Sequence, residues 1–334
     1  MPEYLALRCG EIYVKRYTAI NIGSNSSKVL VADCDELNDG LHLKKVFTDV
    51  VVTGIGKSVH ETGRLTKEGI DSTVEAVAGF TDRAEQLKSD IIWLTATEAA
   101  RTAENSDELK SEISNRTGFD LDIIPYTKES ELAFSGVLST GMMNGISPKE
   151  VMVVDSGGAS TELIKSNGDT FEAKDMAVVS LKVGAATLTQ ELIAHDPPTR
   201  EEAMKVCQHV NYLLDYASAD LAGEDLKKIY GIGGAATTMA ALKLGISDFD
   251  EESVNGTVMT LDECRELFDK VISLSLEERK YMKGMVNPAR ALTIPAGIAI
   301  FYQCMKVMGV NEVVVSTSGI LEGMIIDMAK WKCV

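Results

Sequence analysis

The sequence has 334 residues, of which 45% are hydrophobic and 25% are charged, a balance typical of a soluble globular protein with two domains. Its formal net charge of −17 argues against nucleic acid or a membrane as a partner. The six cysteines show no paired spacing, which argues against a disulfide framework and a zinc site and favours reduced thiols in the cytoplasm. Residues 1–10 lack the basic and then apolar pattern of a signal peptide.

The N-terminal half opens with two apolar strands joined by a turn of glycine and small polar residues, which predicts a β-hairpin at residues 17–32. Two later helices have terminal signals, with Thr66 and Ser106 as expected N-caps and Gly118 just after the end of the second. The elements predicted after the hairpin are the strand Val46–Gly54, the helix Thr66–Ser89, the strand Ile91–Thr95, the helix Ser106–Thr117, the strand Leu121–Ile124 and the helix Lys128–Ser139.

The C-terminal half repeats the hairpin pattern at residues 151–165. The apolar stretch 291–310 contains Pro295 and Lys306, so a buried helix is expected there rather than a membrane span. The later predicted elements are the helix Thr199–Ala217, the strand Lys228–Ile232, the helix Thr237–Leu244, the helix Leu261–Ser273 with Thr260 as its N-cap, the helix Ile294–Met308, the strand Glu312–Ser316 and the helix Gly319–Met328. Alternating strands and helices predict an α/β fold, and the recurring hairpin predicts two related domains.

Both hairpin turns are suited to bind an anion, because glycine and small residues leave backbone N–H groups exposed and the hydroxyl side chains add donors. For either turn alone, an ordinary β-turn is the alternative. The repetition, with a third glycine loop at 231–234, favours a site that holds a phosphate chain from both sides. The predicted phosphate-binding residues in these loops are Gly23, Ser24, Asn25, Ser26, Gly157, Gly158, Ala159, Ser160, Thr161, Gly233 and Gly234.

Two acidic residues flank the second turn. Asp155 ends the strand before the turn and Glu162 begins the strand after it, so both are candidate ligands of Mg²⁺ beside a phosphate. The structural alternatives are turn-initiating hydrogen bonds for Asp155 and a solvent-facing strand position for Glu162.

Seven sequence blocks, in order and spacing, resemble the Ppx/GppA family of exopolyphosphatases and guanosine pentaphosphatases from about residue 17 to the C-terminus. They are Asn-Ile-Gly-Ser-Asn-Ser at 21–26, Thr-Glu-Ala-Ala-Arg-Thr-Ala-Glu-Asn at 97–105, Lys-Glu-Ser-Glu-Leu-Ala-Phe-Ser-Gly-Val at 128–137, Asp-Ser-Gly-Gly-Ala-Ser-Thr-Glu-Leu at 155–163, Ser-Leu-Lys-Val-Gly-Ala at 180–185, Gly-Ile-Gly-Gly-Ala-Ala-Thr-Thr at 231–238 and Ser-Gly-Ile-Leu-Glu-Gly at 318–323.

The resemblance implies an α/β fold of the actin/sugar-kinase/Hsp70 type, in which two ribonuclease-H-like domains enclose an active-site cleft. The expected domains are residues 1–137 and 138–334, with a closing helix at about 319–330 that packs back on the first domain. A homodimer is a further expectation of the same kind.

The resemblance also assigns roles to single residues. It places the general base at Glu129, which would activate a water for attack on the terminal phosphorus, and it makes Arg101 a phosphate clamp. A carboxylate at a helix N-terminus and a surface arginine are the respective alternatives. Arg290 matches another recurring arginine and is interpreted as structural, and Lys28 is expected to add only weak positive charge.

The sequence departs from the family pattern at several polar positions. Asn21 stands where the first hairpin normally has Asp, and Ala159 replaces a glycine of the second. Glu131 replaces an arginine, and Thr317 and Leu321 replace an aspartate and an arginine. These changes are compatible with a divergent enzyme or with a homologue that only binds its ligand.

Four functions follow as hypotheses. The leading one is hydrolysis of the terminal phosphoanhydride of inorganic polyphosphate with Glu129 and Mg²⁺ (or Mn²⁺), and the second is removal of the 5′ γ-phosphate of guanosine pentaphosphate. The third is non-catalytic binding of a nucleotide or alarmone, and the fourth is an ATP-dependent sugar or acid kinase, which the short chain disfavours. The His195-Asp196 dipeptide and the Gly-Ile-Gly-Gly loop are too short to indicate an HD domain or a dinucleotide site.

Overall fold

The computed structural model describes residues 14–37, 40–168, 175–221 and 226–330, and their side chains except at 35–37, 40–42 and 218–220. The described strands of the N-terminal half are β1 (Lys15–Ile22), β2 (Ser27–Leu37), β3 (Gly40–Val51), β4 (Ile91–Ala96) and β5 (Leu121–Ile123). Those of the C-terminal half are β6 (Val151–Ser156), β7 (Thr161–Ser166), β8 (Met176–Leu181), β9 (Lys228–Ile232), β10 (Val258–Thr260) and β11 (Glu312–Val315).

The helices cover the faces of these sheets. In the N-terminal half they are α1 (Val59–Thr62), α2 (Lys67–Gln86), α3 (Glu98–Thr102), α4 (Ser106–Thr117) and α5 (Tyr126–Leu138). In the C-terminal half they are α6 (Ala185–Leu192), α7 (Arg200–Leu221), α8 (Gly234–Leu244), α9 (Glu251–Val254), α10 (Leu261–Ile272), α11 (Leu276–Lys280), α12 (Ile294–Met308) and α13 (Ile320–Lys330), with short 3₁₀ helices at Pro148–Glu150 and Pro288–Ala291.

The strands form two mixed sheets with related connectivity. The N-terminal sheet has the order β3-β2-β1-β4-β5, and the C-terminal sheet has the order β10-β11-β9-β6-β7-β8. In each, the first strand of the predicted hairpin pairs antiparallel with its partner and parallel with a strand that follows a helix. The α/β fold and the two hairpins predicted from the sequence are therefore confirmed.

Local sequence signals placed most helix ends correctly. Thr66 caps α2 by accepting a hydrogen bond from the Gly69 N–H at 3.1 Å. Thr260 forms a capping box with Glu263 at the start of α10. The N-cap predicted for α4 was wrong: Asn105 occupies that position, and its amide binds the backbone N–H and carbonyl of Leu65 at 2.8 and 3.1 Å.

Several elements were not predicted. They are mainly the edge strands β8 and β10, the helix α6 and the one-turn helices α1, α3, α9 and α11. Helix α8 starts at Gly234, three residues before the predicted start at Thr237. Most of these elements are short, so their residues carry too few repeats of any hydrophobic period to be recognised.

Helix α5 belongs to both hydrophobic cores. Its Leu132 packs with N-terminal residues such as Tyr17 and Leu30, whereas Phe134 packs with the C-terminal sheet. Helix α13 returns to the N-terminal sheet and lies directly against α5, because a Cβ atom at Gly136 would lie 1.9 Å from the Gly319 carbonyl oxygen. The division into domains 1–137 and 138–334 stays a prediction.

Helix α12 is the buried helix expected from the apolar stretch 291–310. Within the described ranges, no helix combines the length and apolar character needed to cross a bilayer. Burial raises the pKa of the Cys264 and Cys304 thiols to about 12. Cys9, Cys333 and the segment tested for a signal peptide lie outside the described residues.

Candidate functional site

The turns of the two hairpins have the same backbone geometry. In the first, the Gly23 N–H donates to the Ser26 carbonyl at 3.0 Å, and in the second the Gly157 N–H donates to the Ser160 carbonyl at 2.9 Å. The strands pair in matching register, so that Asn21 lies opposite Lys28 in one hairpin, as Asp155 lies opposite Glu162 in the other. The repeat seen in the sequence is thus a structural repeat at the level of single residues.

The two turns meet across a crevice between the sheets. A Cβ atom at Gly158 would lie 3.1 Å from the Asn25 Cβ, so the missing side chain allows this close approach. The start of α6 supports the second turn from behind, because the Ala185 N–H donates to the Gly157 carbonyl at 3.0 Å. The crevice encloses about 90 Å³, and residues from both turns line it together with Glu129 and Asp155.

The third glycine loop closes the crevice at the end of β9. Gly233 has a φ of 92°, and a Cβ atom there would lie 2.6 Å from the Ser156 carbonyl oxygen, so only glycine fits without strain. Gly234 begins α8, whose first backbone N–H groups have no intrahelical partner. All three predicted glycine loops therefore come together, and a helix N-terminus adds anion-binding N–H groups.

Glu129 lies in the first turn of α5, with 11% of its side chain exposed. The Arg101 guanidinium donates to its Oε2 atom at 3.1 Å. Burial raises the pKa of Glu129 to about 7, and the charge of Asp155 adds to the rise while Arg101 opposes it. A carboxylate with this pKa can accept a proton near neutral pH.

Arg101 lies beside Glu129 rather than along the crevice. Its guanidinium donates to the Ile124 carbonyl at 2.8 Å and forms ion pairs with Glu98 and Glu129. In this arrangement it orients the predicted base, and its role as a phosphate clamp stays a prediction.

Asp155 and Glu162 are neighbours across the second hairpin, where Glu162 is buried and Asp155 is half-buried. Burial raises the pKa of both carboxyls, and the nearby charges of Glu129 and Asp155 raise that of Glu162 further. The Ser180 hydroxyl donates to Glu162 Oε1 at 2.9 Å. Because the two carboxylates repel each other in a buried site, a bound cation would lower their free energy.

The donor set fits Mg²⁺. Carboxylate oxygens are suitable ligands, and Mg²⁺ usually takes one or two of them together with waters and substrate phosphates. No three acidic, histidine or cysteine side chains converge into a complete cage within the part of the chain that the structure describes. Asp155 and Glu162 would therefore hold the ion from one hairpin, since Asn21 brings no charge from the other.

Two cationic residues that line the crevice were not among the phosphate-binding residues predicted from the sequence. Lys28, opposite Asn21, lies near Asp155, and burial followed by the charge of Arg290 lowers its pKa. The Arg290 guanidinium packs over Gly234, where a Cβ atom would lie 2.2 Å from its central carbon. Both residues line the crevice. The match of Arg290 to a recurring arginine was the available signal for its position at the crevice.

Of three other predicted or divergent positions, two lie apart from the crevice and one lines it. Thr161 is fully buried, and its hydroxyl donates to the Val183 carbonyl at 2.8 Å, so it does not face the crevice as expected. Glu131 is a partly exposed residue of α5 that pairs with Lys128 at 3.5 Å and does not line the crevice, so the reversed charge lies away from the two turns. Asn21 does line the crevice and accepts a hydrogen bond from Thr95 at 3.1 Å.

Comparison with known proteins identifies the family. The model of the Ppx/GppA phosphatase family matches residues 31–332. Exopolyphosphatase 2 of Mycobacterium tuberculosis is 25% identical over 323 residues, covering 94% of this chain and 98% of that protein. A guanosine-5′-triphosphate,3′-diphosphate pyrophosphatase of Photobacterium profundum is 26% identical, covering 93% of this chain and 59% of that protein.

Solved structures agree with the sequence comparison. The Aquifex aeolicus member of the Ppx/GppA family superposes with a TM-score of 0.79 and 28% identity, covering 96% of this chain and 99% of that one. An exopolyphosphatase-like protein superposes with a TM-score of 0.86 and 26% identity, also covering 96% of this chain and 99% of that one. The chain belongs to the Ppx/GppA phosphatase family, has its two-domain actin-like fold and is a phosphoanhydride hydrolase.

Proposed function

We propose that this protein removes the terminal phosphate of inorganic polyphosphate, with Glu129 as the general base. The observation that carries the proposal is the convergence of both glycine turns on one crevice that also contains Glu129, Asp155 and Glu162. The similarity to exopolyphosphatase 2 of Mycobacterium tuberculosis, which extends over 323 residues, supports the choice of substrate.

In the proposed mechanism, the backbone N–H groups and hydroxyls of the two turns hold the terminal phosphate. Lys28 and Arg290 offset the charge of the phosphate oxygens and of the departing chain. Mg²⁺, or Mn²⁺, held by Asp155 and Glu162 would neutralise further charge on those oxygens.

Glu129 orients a water and accepts its proton as the oxygen attacks the terminal phosphorus. The bond from that phosphorus to the bridging oxygen breaks, and the shortened chain leaves. Arg101, paired with Glu129 at 3.1 Å, keeps the carboxylate directed toward the crevice. Positioning and charge neutralisation supply most of the acceleration, because phosphoryl transfer needs little covalent help.

Substituting the base tests this mechanism. Glu129→Gln is expected to lower kcat on polyphosphate by about 10²–10⁴, the usual contribution of general acid–base catalysis. Glu131→Gln is the matched control, because Glu131 lies two residues away on the same helix, is partly exposed and does not line the crevice. Phosphate release is measured with and without Mg²⁺, and undiminished turnover of Glu129→Gln would remove this residue from the mechanism.

The pKa of Glu129 gives the same test a pH dependence. The base must be ionised, so kcat/KM is expected to rise as the pH passes through about 7. The fold is expected to lose stability as the pH rises from about 4.5 to about 7, because the folded protein holds the Glu129 proton over that range and the unfolded chain does not. Glu129→Gln escapes that cost and is expected to be more stable than wild type by about 2–3 kcal/mol at pH 8, with the difference vanishing near pH 4.5.

Guanosine pentaphosphate is the second candidate substrate, and one feature favours it. A cavity of about 250 Å³ adjoins the crevice through Gly234 and Arg290, and the side chains of Val50 and Phe249 line it while remaining exposed. An exposed aromatic ring beside a phosphate site is suited to stack with a nucleobase. Comparing kcat/KM for guanosine pentaphosphate and polyphosphate decides between them.

A further inference from the structure

A second cavity extends the crevice along strand β3. It encloses about 250 Å³ and shares Lys28, Asp155 and Arg290 with the crevice. Lys45 of β3 lines this cavity. In the strand register it lies opposite Ala32 of β2, and Ala32 follows Lys28 by four residues on the same strand. That separation is about 13 Å along the strand, given the rise per residue in a β-strand. Lys45 lines this cavity but not the crevice, so the two lysines are placed to contact different parts of a ligand that occupies both.

Lys45 has two carboxylate partners from the C-terminal half of the chain. Glu322 accepts from its ammonium group at 2.6 Å, and Glu251 forms a second ion pair with it. An ammonium group has three N–H donors, so one donor is left for a ligand in the cavity. Lys45 thus joins β3 to α9 and α13 at the opening of the crevice.

The two partners differ in how firmly they are held. Glu322 is 8% exposed, and its other carboxylate oxygen accepts the Gly319 N–H at 2.8 Å before α13 begins. Glu251 is 39% exposed and lies on the four-residue helix α9, where its remaining contact is the Thr317 hydroxyl at 3.0 Å. Glu322 therefore orders the ammonium group, whereas Glu251 is the partner that a competing anion can replace.

The charge of the cavity makes such a replacement necessary for a polyanion. Besides Glu251 and Glu322, the acidic residues Asp49 and Asp155 line it, against three cationic residues. A condensed phosphate chain entering the cavity would meet this excess of negative charge. Moving Glu251 away from Lys45 removes one carboxylate from the path and frees a preoriented ammonium group for a phosphate oxygen.

We propose that Lys45 binds a phosphate several units away from the scissile bond, and that the phosphate chain displaces Glu251 from Lys45 when it binds. Lys45 then favours chains long enough to reach it, and its ion pair with Glu251 competes with those chains. This inference rests on the proposed function, because it concerns the tail of the same polyanion.

Direct binding tests the proposal without turnover. Affinities for pyrophosphate and for long-chain polyphosphate are measured by calorimetry with Mg²⁺ in the Glu129→Gln background. Lys45→Met is expected to weaken long-chain binding about fivefold or more and to leave pyrophosphate binding unchanged. Lys44→Met is the matched control, since it removes the same charge from the neighbouring residue, which is exposed and does not line the cavity.

Glu251→Gln gives an effect of the opposite sign. Removing the competitor is expected to strengthen long-chain binding about threefold or more in the presence of Lys45, and to have no effect in the Lys45→Met background. This variant keeps the ion pair of Lys45 with Glu322, so it should fold even if Lys45→Met does not.

Weaker or unchanged long-chain binding by Glu251→Gln would show that the ion pair is only a structural link and would overturn the proposal. Equal losses for pyrophosphate and the long chain in Lys45→Met would overturn it as well. Failure of the proposed function would give a different result, because wild-type protein would then release no phosphate from polyphosphate. The binding affinities of the variants are measured without turnover, so they test the role of Lys45 separately.

Discussion

The hairpins at residues 15–37 and 151–166 share one turn geometry, and they differ in the charge of the residue pair beside the turn. The N-terminal hairpin presents an amide and an ammonium group, from Asn21 and Lys28. The C-terminal hairpin presents two carboxylates at the equivalent positions, from Asp155 and Glu162. One backbone scaffold thus presents an ammonium group from one hairpin and two carboxyl groups from the other to the same crevice.

This difference shows how a negatively charged protein can bind a polyanion. Burial lowers the pKa of Lys28 and raises the pKa values of Asp155 and Glu162, so each charge is costly in the empty crevice. In the proposed mechanism, a phosphate group would offset the first charge and a divalent cation the other two. Substrate and metal are therefore expected to bind more tightly together than separately.

The largest effect is expected from making the C-terminal hairpin resemble the N-terminal one. Asp155→Asn removes a carboxylate of the proposed metal site and is expected to lower kcat/KM on polyphosphate by roughly 10²–10³. It also removes the charge that favours the ionised form of Lys28. Phosphate release is measured across a Mg²⁺ titration, and the loss should remain at saturating metal.

Asp49→Asn is the control for this substitution. Asp49 lines the adjoining cavity but is exposed and lies outside the crevice, so its loss should change kcat/KM by less than about threefold. Equal effects of the two substitutions would mean that general electrostatics, rather than a metal ligand, explains the role of Asp155.

The N-terminal hairpin gives the reverse experiment with a smaller effect. Asn21→Asp places a carboxylate in each hairpin, and the new oxygen can still accept the hydrogen bond from Thr95. Because Lys28 lies opposite, the added charge is partly offset. We expect the Mg²⁺ concentration for half-maximal activity to fall about tenfold, with little change in activity at saturating metal. An unchanged metal requirement would place the ion beyond the reach of residue 21.

The sequence predicted the hairpins and most long helices because their signals are local. Strand–turn–strand patterns and N-cap residues act over a few positions, as at Thr66 and Thr260. The same locality explains the error at Ser106, where Asn105 becomes the N-cap while its amide binds Leu65, forty residues earlier in the chain. Such long-range hydrogen bonds leave no trace in a window of neighbouring residues.

Within the site, the loops were predictable and the charges were less so. The glycine turns were predicted from the repeat and Glu129 was assigned from the resemblance to the family, and the structure places them in one crevice. The importance of Lys28, Lys45 and Arg290 depends on strand register and on packing between distant segments, as in the contact of Arg290 with Gly234. A basic residue on a predicted strand does not itself reveal which carboxylate or cavity it will reach.

The smallest effect on activity separates two adjacent hydroxyls of the C-terminal turn. Ser160 lines the crevice and hydrogen-bonds Glu162, so Ser160→Ala is expected to lower kcat/KM about tenfold. Thr161 instead donates to the Val183 carbonyl, so Thr161→Val is expected to cost about 1 kcal/mol of unfolding free energy while changing kcat/KM by less than about twofold. Thermal unfolding and phosphate release measure the two quantities. A tenfold loss of activity in Thr161→Val, without loss of stability, would instead place its hydroxyl on the substrate, as the sequence pattern predicts.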